Sequence, residues 1–260
     1  MKPTVIKIGG GFIENDELVS SLAAELLEFL SKGSILLVHG GGSMISKVED
    51  KWGYEPLFVN GLRETTAETM PLVDMALAGT VNKRLVRLLR REGLNAWGLS
   101  GVDGGLILAE SVRDEESSSR TGRVISLDTR PIRMLWENGY LPVLAPPASD
   151  AEGRGLNINA DEVALAFALD SEAQNLVFIS DIPGVLLGDE VIRRLDPLAV
   201  EKKIVDGKIW GGMIPKVRSA IDALKGGVGA VFIGDYLEYG DLGKILASQK
   251  GTVIGGEKRC

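Results

Sequence analysis

Two β-branched runs break into glycine triplets within the first 45 residues, and each leads into a helical pattern. Thr4-Val5-Ile6-Lys7-Ile8 ends in Gly9-Gly10-Gly11, and Ile35-Leu36-Leu37-Val38 ends in His39-Gly40-Gly41-Gly42. A short apolar run bounded by glycine reads as a buried strand and its turn. Between them, Asp16 to Ser31 carries Leu18, Leu22, Leu26, Leu27 and Leu30 on one helical face and stops at Gly33. Strand, glycine turn and helix used twice in succession point to parallel strands joined by helical crossovers. The alternation continues, with buried strands expected at 141–144, 175–179 and 228–233, and helices at 128–138, 163–169 and 217–224. Shorter strands are expected at 95–99, 105–110, 124–127, 191–195 and 252–254. A long helix is expected from Thr65 or Thr66, with Pro71 in its early turns, where a proline can kink it. Its basic end, Lys83 to Arg91, reads as a solvated face. The expected class is α/β, a mostly parallel sheet with helices on both faces.

At 260 residues the chain is long enough for one large domain or for two lobes. A net charge of −7 gives no basis for nucleic acid or an anionic membrane as partner. The single cysteine, Cys260, excludes an intrachain disulfide and a cysteine metal site; the single histidine, His39, excludes a histidine-based one. No apolar run approaches the length of a membrane span, and the chain enters a strand at Thr4 without a signal peptide, so a soluble cytoplasmic protein is expected.

Just past the middle, Asn157-Ile158-Asn159-Ala160-Asp161 sets two amides and a carboxylate at alternating positions before an apolar helical run. One such side chain suffices as an N-cap. Three exceed that need, and a helix N-terminus also holds anions, so capping and ligand binding both stay open. Lys7 lies in an apolar strand beside the first glycine turn, and Lys216 follows a third, Gly211-Gly212-Met213-Ile214-Pro215. Ser180-Asp181-Ile182-Pro183-Gly184-Val185 ends a strand at the carboxyl edge of the sheet, where open α/β sheets bind ligands. His39 reads as a packed strand-end residue or as a site residue.

Glycine turns, helix N-termini and two lysines suit a polyphosphate and a transferring phosphoryl group. Lys7 and Lys216 are placed to flank the moving charge, and Asp161 to hold both lysines. No strong general base is evident, which fits a nucleophile already ionised at neutral pH, such as a carboxylate. Arg63 suits a second carboxylate through a bidentate pair. The P-loop and protein-kinase signatures are absent, Gly98-Leu99-Ser100-Gly101 is not an esterase elbow, and Gly9-Gly10-Gly11 is not a dinucleotide fingerprint.

These motifs, together with Asn60-Gly61-Leu62-Arg63, resemble the amino-acid kinase family along essentially the whole chain, and within it most resemble the N-acetylglutamate kinases. The resemblance implies a three-layer αβα sandwich of two lobes. Residues 1–170 would bind the amino-acid substrate and form the dimer, and residues 171–260 would bind ATP. It implies that MgATP phosphorylates the side-chain carboxylate of N-acetyl-L-glutamate, with Mg2+ carried by ATP and no direct metal site. Lys7, Lys216 and Asp161 would be catalytic. Gly41, Gly42, Arg63, Asn157 and Asn159 would bind the acyl amino acid. Gly9, Gly10, Gly11, Asp181, Ile182, Pro183, Gly184, Val185, Leu186, Trp210 and Gly211 would line the nucleotide site.

Some stretches look closer to a sister group that phosphorylates aminoadipate or glutamate attached to a small acidic carrier protein. Val102 stands where N-acetylglutamate kinases often carry lysine, and Tyr140–Ala148 and Gly251–Ile254 are similar to that group. Arg113, Arg120, Arg123, Arg130 and Arg133 read as a carrier-docking patch or as a solvated face. The compact Asn60–Arg63 loop points back to the free substrate. A non-catalytic regulator on the same fold is the third alternative, and the intact Lys7, Asp161 and Lys216 argue against it. The first strand begins without the extra N-terminal helix of the arginine-inhibited hexamers, so a homodimer without arginine feedback is expected.

Overall fold

The computed structural model describes residues 2–59, 61–113, 118–188, 190–197, 200, 204–206 and 213–255. The chain begins with β1 (Thr4–Ile8), α1 (Asp16–Leu30), β2 (Ile35–His39), α2 (Gly42–Lys51) and the hairpin β3 (Phe58–Val59) and β4 (Leu62–Arg63). Next come α3 (Met70–Asp74), α4 (Asn82–Arg91), β5 (Ala96–Ser100), β6 (Ile107–Ser111), β7 (Thr121–Leu127) and α5 (Arg130–Glu137). They are followed by β8 (Leu141–Ala145), β9 (Ala148–Ser149), β10 (Gly155–Ile158), α6 (Ala160–Asp170) and β11 (Asn175–Ile179). Last are β12 (Leu186–Leu187), β13 (Glu190–Val191), β14 (Arg194–Leu195), α7 (Met213–Lys225), β15 (Ala230–Gly234), α8 (Asp241–Leu246) and β16 (Thr252–Gly255).

Eight strands form the main sheet in the order β14–β16–β15–β11–β1–β2–β8–β5. Every neighbouring pair is parallel except β15 with β16. Strand side chains alternate between faces, and the two cores follow that alternation. Val5, Leu36, Val38, Leu176 and Phe178 pack with Val163, Phe167 and Val217 of α6 and α7. Ile6, Ile8, Leu37 and Val177 pack with Leu22, Leu26, Leu85, Leu89, Leu242 and Ile245 of α1, α4 and α8. The result is helix, sheet, helix. Lys7 has the parity of Val5, so its side chain falls on the α6 face, where the sheet gives way to the Gly9–Gly10 turn.

A second sheet was not legible beforehand. β10, β7, β6 and β9 close into a small barrel that packs on the α6 side. Gly122 permits it: a Cβ there would lie 2.8 Å from Ile158 Cδ1 and 2.9 Å from Leu156 Cβ. The expected strand 191–195 is instead two pieces, β13 pairing with β12 and β14 with β16. The expected helix start at Thr65 or Thr66 is also corrected. Thr65 is buried with its N–H donated to Thr121 Oγ1, Thr66 N–H donates to Thr69 Oγ1, and the helix starts at Met70. Pro71 therefore sits in the first turn, where proline fits without a kink. The irregularity comes one turn later, as a π-helical stretch over Met75–Val81. Arg84, expected on a solvated face, is a tether: it donates to the carbonyls of Ile13 and Glu14 and pairs with Asp16.

Candidate active site

The carboxyl ends of β1 and β2 open into Gly9–Gly10 and Gly40–Gly42. Together with the β3–β4 hairpin and the N-terminus of α6 they enclose a cavity of ≈ 440 Å³. Its floor and walls include Leu77, Phe58, Ile45 and Ile158; its polar groups include Lys7, Arg63, Asn157, Asn159 and Ser43. Among the described residues, no carboxylate and no imidazole lines it.

The glycines have two separate reasons to be there. Gly10 has φ +60, and a Cβ on it would come 2.0 Å from Asp181 Oδ2. Gly41 has φ +149, and a Cβ would come 2.8 Å from Leu77 Cδ2, on the π-helical stretch. Gly41 is the N-cap of α2 and provides no side-chain cap, so the first-turn amides of Gly42 and Ser43 lack intrahelical acceptors and border the cavity. Ser43 itself donates to Glu14 Oε1, 2.6 Å, which joins the two glycine turns.

The Asn157–Asp161 stretch divides its work among three residues. Asn157 lies in β10 and its Nδ2 donates to Thr65 Oγ1 at 2.9 Å. Asn159 is the N-cap of α6, accepting from the Asp161 N–H at 2.8 Å. Asp161 sits between two ammonium groups: Lys7 Nζ lies 2.8 Å from Oδ1 and Lys216 Nζ 2.6 Å from Oδ2. Lys216 donates a well-formed hydrogen bond, whereas Lys7 meets Oδ1 as an ion pair and leaves that oxygen without one. Lys216 comes from the first turn of α7 and also lies 5.8 Å from the Phe178 ring centre. Burial alone would raise the Asp161 pKa; the charges of Lys7 and Lys216 outweigh it and hold the carboxyl below its ordinary value.

Arg63 is buried, and three of its donors are already used within the protein. Nη1 donates to Glu49 Oε2 at 2.5 Å, and Nη2 donates to Gly42 O at 2.9 Å and Ser46 Oγ at 2.8 Å. The Phe58 ring covers the guanidinium, 4.8 Å from Cζ. A bidentate grip on a ligand through both terminal nitrogens is therefore not what this geometry offers. His39 resolves as a packed residue: fully buried, with Nδ1 2.8 Å from Gly40 O and Nε2 3.0 Å from Asn82 Nδ2.

On the other side of the Lys7 turn, Asp181 accepts from the Gly11 N–H at 3.1 Å, so that amide is not free for a phosphate. Ile182, Pro183 and Gly184 follow β11 in the same turn, and Gly184 has φ +145 against Val191 and Thr252. Val185 is buried, with its N–H donated to Thr252 Oγ1, and Leu186 lies in β12. Trp210 and Gly211 lie outside the described residues, as do Asn60 and Gly212. Sequence reasoning missed Thr121, Ser46, Phe58 and Leu77 as lining residues. Ser46 had a signal: it lies four residues after Gly42 on one helical face.

The amino acid kinase family matches residues 2–235. The acetylglutamate kinase of Geobacillus kaustophilus is 42 % identical over 255 residues, covering 98 % of this chain and 95 % of that protein. That of Chlorobaculum parvum is 42 % identical over 236 residues, covering 90 % of this chain and 78 % of the relative. The crystal structure of smu.665 from Streptococcus mutans has a TM-score of 0.84 at 32 % identity, covering 98 % of this chain and 99 % of that one. Carbamate kinase from Giardia lamblia bound to AMP-PNP shares the fold, with a TM-score of 0.71 at 15 % identity and coverage of 98 % and 99 %. With the two-faced parallel sheet and the lysine-flanked Asp161 already in place, these likenesses fix the grouping: the chain belongs to the amino acid kinase family.

Proposed function

We propose that this chain transfers the γ-phosphoryl group of ATP to the side-chain carboxylate of N-acetyl-L-glutamate, an acyl-phosphate-forming step of arginine biosynthesis. The observation that carries it is the Lys7–Asp161–Lys216 bridge at the end of a cavity walled by cations and amides. The likeness to acetylglutamate kinases at 42 % identity supplies the substrate.

The attacking atom is a carboxylate oxygen, and the β–γ bridging oxygen leaves with ADP. The nucleophile carries no proton at neutral pH, so no base is needed. That agrees with a cavity whose lining, among the described residues, holds neither carboxylate nor imidazole. Lys7 and Lys216 are assigned to the charge on the transferring group, and Asp161 to their orientation. The amides after Gly41 and Gly42 face one anionic group, and Arg63 gives a second carboxylate a single charge-assisted hydrogen bond. Asn157, whose Nδ2 is occupied by Thr65, offers its carbonyl to the substrate N–H; Asn159, whose carbonyl caps α6, offers its amide. Nucleotide binding is assigned to residues 171–260 and to the Gly9–Gly11 turn, with magnesium entering on the ATP phosphates. A division near residue 170 is supported by the strand order, in which β1 and β11 are neighbours at the middle of the main sheet. We assign the homodimer contact to the β5 edge of that sheet, where Trp97 and Met134 are about half exposed.

The arginine patch gives a carrier-linked substrate little support. Of the five arginines considered for docking, Arg113 pairs with Glu64, Arg123 with Glu110, and Arg130 with Asp128, so much of the patch is neutralised. The deciding experiment is acyl-phosphate formation from MgATP and free N-acetyl-L-glutamate, trapped with hydroxylamine. Turnover at millimolar substrate supports the proposal. MgATP binding without turnover would overturn it in favour of a carrier-linked acyl group or a regulator.

A further inference from the structure

Behind Arg63, on the side away from the cavity, stands a carboxylate that the proposed chemistry does not use. Gly42, Ser46 and Glu49 lie at i, i+4 and i+7 along α2 and so share one face. Together they take three Arg63 donors: Nη2 to Gly42 O and Ser46 Oγ, and Nη1 to Glu49 Oε2. Glu49 is 2 % exposed and does not line the cavity; Arg63 does. The guanidinium is thus held in its plane from behind by α2 and covered by Phe58, with its remaining donors left for the cavity.

Stability alone does not account for this pair. Burying a carboxylate and a guanidinium together is often neutral or unfavourable against an apolar pair. Here desolvation outweighs the attraction of Arg63 and leaves the Glu49 carboxyl above its usual range, and burial likewise lowers Arg63. A pair retained for folding would gain more from pairing than it loses to desolvation. What the arrangement does provide is a guanidinium already fixed before substrate arrives, which removes the ordering penalty from binding.

We infer that Glu49 is a positioning residue: through Arg63 it selects acyl amino acids that carry a second carboxylate beside the reacting one. This rests on the assignment of the cavity to N-acetyl-L-glutamate. The signal was readable only once β4 had been brought against α2, because Glu49 and Arg63 belong to different elements.

The test measures kcat and KM on two substrates, N-acetyl-L-glutamate and 4-acetamidobutanoate. The second keeps the acetamido group and the reacting carboxylate and lacks the other. In Glu49→Gln, KM for N-acetyl-L-glutamate should rise about tenfold, the loss of one charge-assisted hydrogen bond's alignment. kcat and the KM for MgATP should stay within about twofold, because the effect is confined to ground-state binding of one group. The preference for N-acetyl-L-glutamate over 4-acetamidobutanoate should shrink by the same tenfold or so, and Glu49→Gln should add nothing in an Arg63→Met background. If Glu49→Gln does not fold, Ser46→Ala removes a second anchor of the same guanidinium and should shrink the preference in the same way. Equal losses on both substrates, or a fall in kcat with KM unchanged, would overturn the positioning role while leaving the proposed reaction standing. A wild-type enzyme that binds MgATP and turns over neither substrate would overturn the proposed reaction and this inference with it.

Discussion

Lowering the pH from 7.5 to 5.0 should cost the folded state about 2 kcal/mol through one side chain, His39. The imidazole is fully buried, and both ring nitrogens are occupied. Nδ1–H donates to the Gly40 carbonyl, so Nε2 must accept from the Asn82 amide; a second proton would face a donor. Burial lowers the pKa most, the Gly40 carbonyl pulls the other way, and the Lys83 charge lowers it further, leaving it at about 4 against the ordinary 6.5. Between those values the unfolded chain binds the proton and the folded chain does not. Stability is therefore full above the unfolded value and falls as pH drops through the window. The whole shift corresponds to about 3 kcal/mol, of which about 2 kcal/mol is lost by pH 5.0. Glu49, Asp74 and Glu162 have raised pKa values and work in the opposite direction, so the reference must be His39→Gln rather than wild type alone. The assay is thermal unfolding followed by tryptophan fluorescence at several pH values from 7.5 to 5.0. The Tm of wild type relative to His39→Gln should drop by about 4–8 °C across that range. Two curves that run parallel would refute the buried, doubly bonded imidazole and the reasoning built on it.

Asp161→Asn should lower kcat by about 10²-fold or more, because two ammonium groups lose the anion that aligns them; Lys7→Ala or Lys216→Ala should do at least as much. Hydroxylamine trapping measures it, and activity within a few-fold of wild type would remove Asp161 from the site. Gly10→Ala forces φ +60 on a residue with a Cβ and drives that Cβ into Asp181, so it should cost about 1–2 kcal/mol and raise the KM for MgATP. An unchanged KM would separate this turn from the nucleotide. Trp97→Glu at the β5 edge should convert the proposed dimer to a monomer in sedimentation velocity; an unaltered dimer would move the contact elsewhere.

The crossover pattern and the parity of Lys7 were legible because both follow from local periodicity. The two glycine turns, the Asn157–Asp161 stretch and the lysine after the third glycine turn were found by residue type alone, and three of those side chains do meet. What could not be read was contact between distant elements. Short β9 and β10 carry too few residues to show a period, so the small barrel was invisible and Asn157 looked like part of a helix start. Val191–Leu195 looked like one strand because composition does not reveal that its halves pair with different partners. Arg84 looked solvated because the carbonyls of Ile13 and Glu14 that it ties down are some seventy positions away.

The site solves an electrostatic problem by keeping its counter-charges out of the cavity. Lys7 and Arg63 line a partly desolvated cleft, and Lys216 is tied to Lys7 through Asp161, so that unpaired like charges there would repel and shift toward neutrality. Asp161 stands between the two lysines and Glu49 behind the arginine, and neither lines the cavity. A ligand therefore meets ammonium, guanidinium and amide donors without having to displace a carboxylate. The cations are prepaired rather than paired only when substrate arrives, so their geometry is set before binding and little reorganisation remains for the reaction itself. Such a cleft stays net attractive to a polyanion, and the two carboxylates that orient its cations leave that attraction intact.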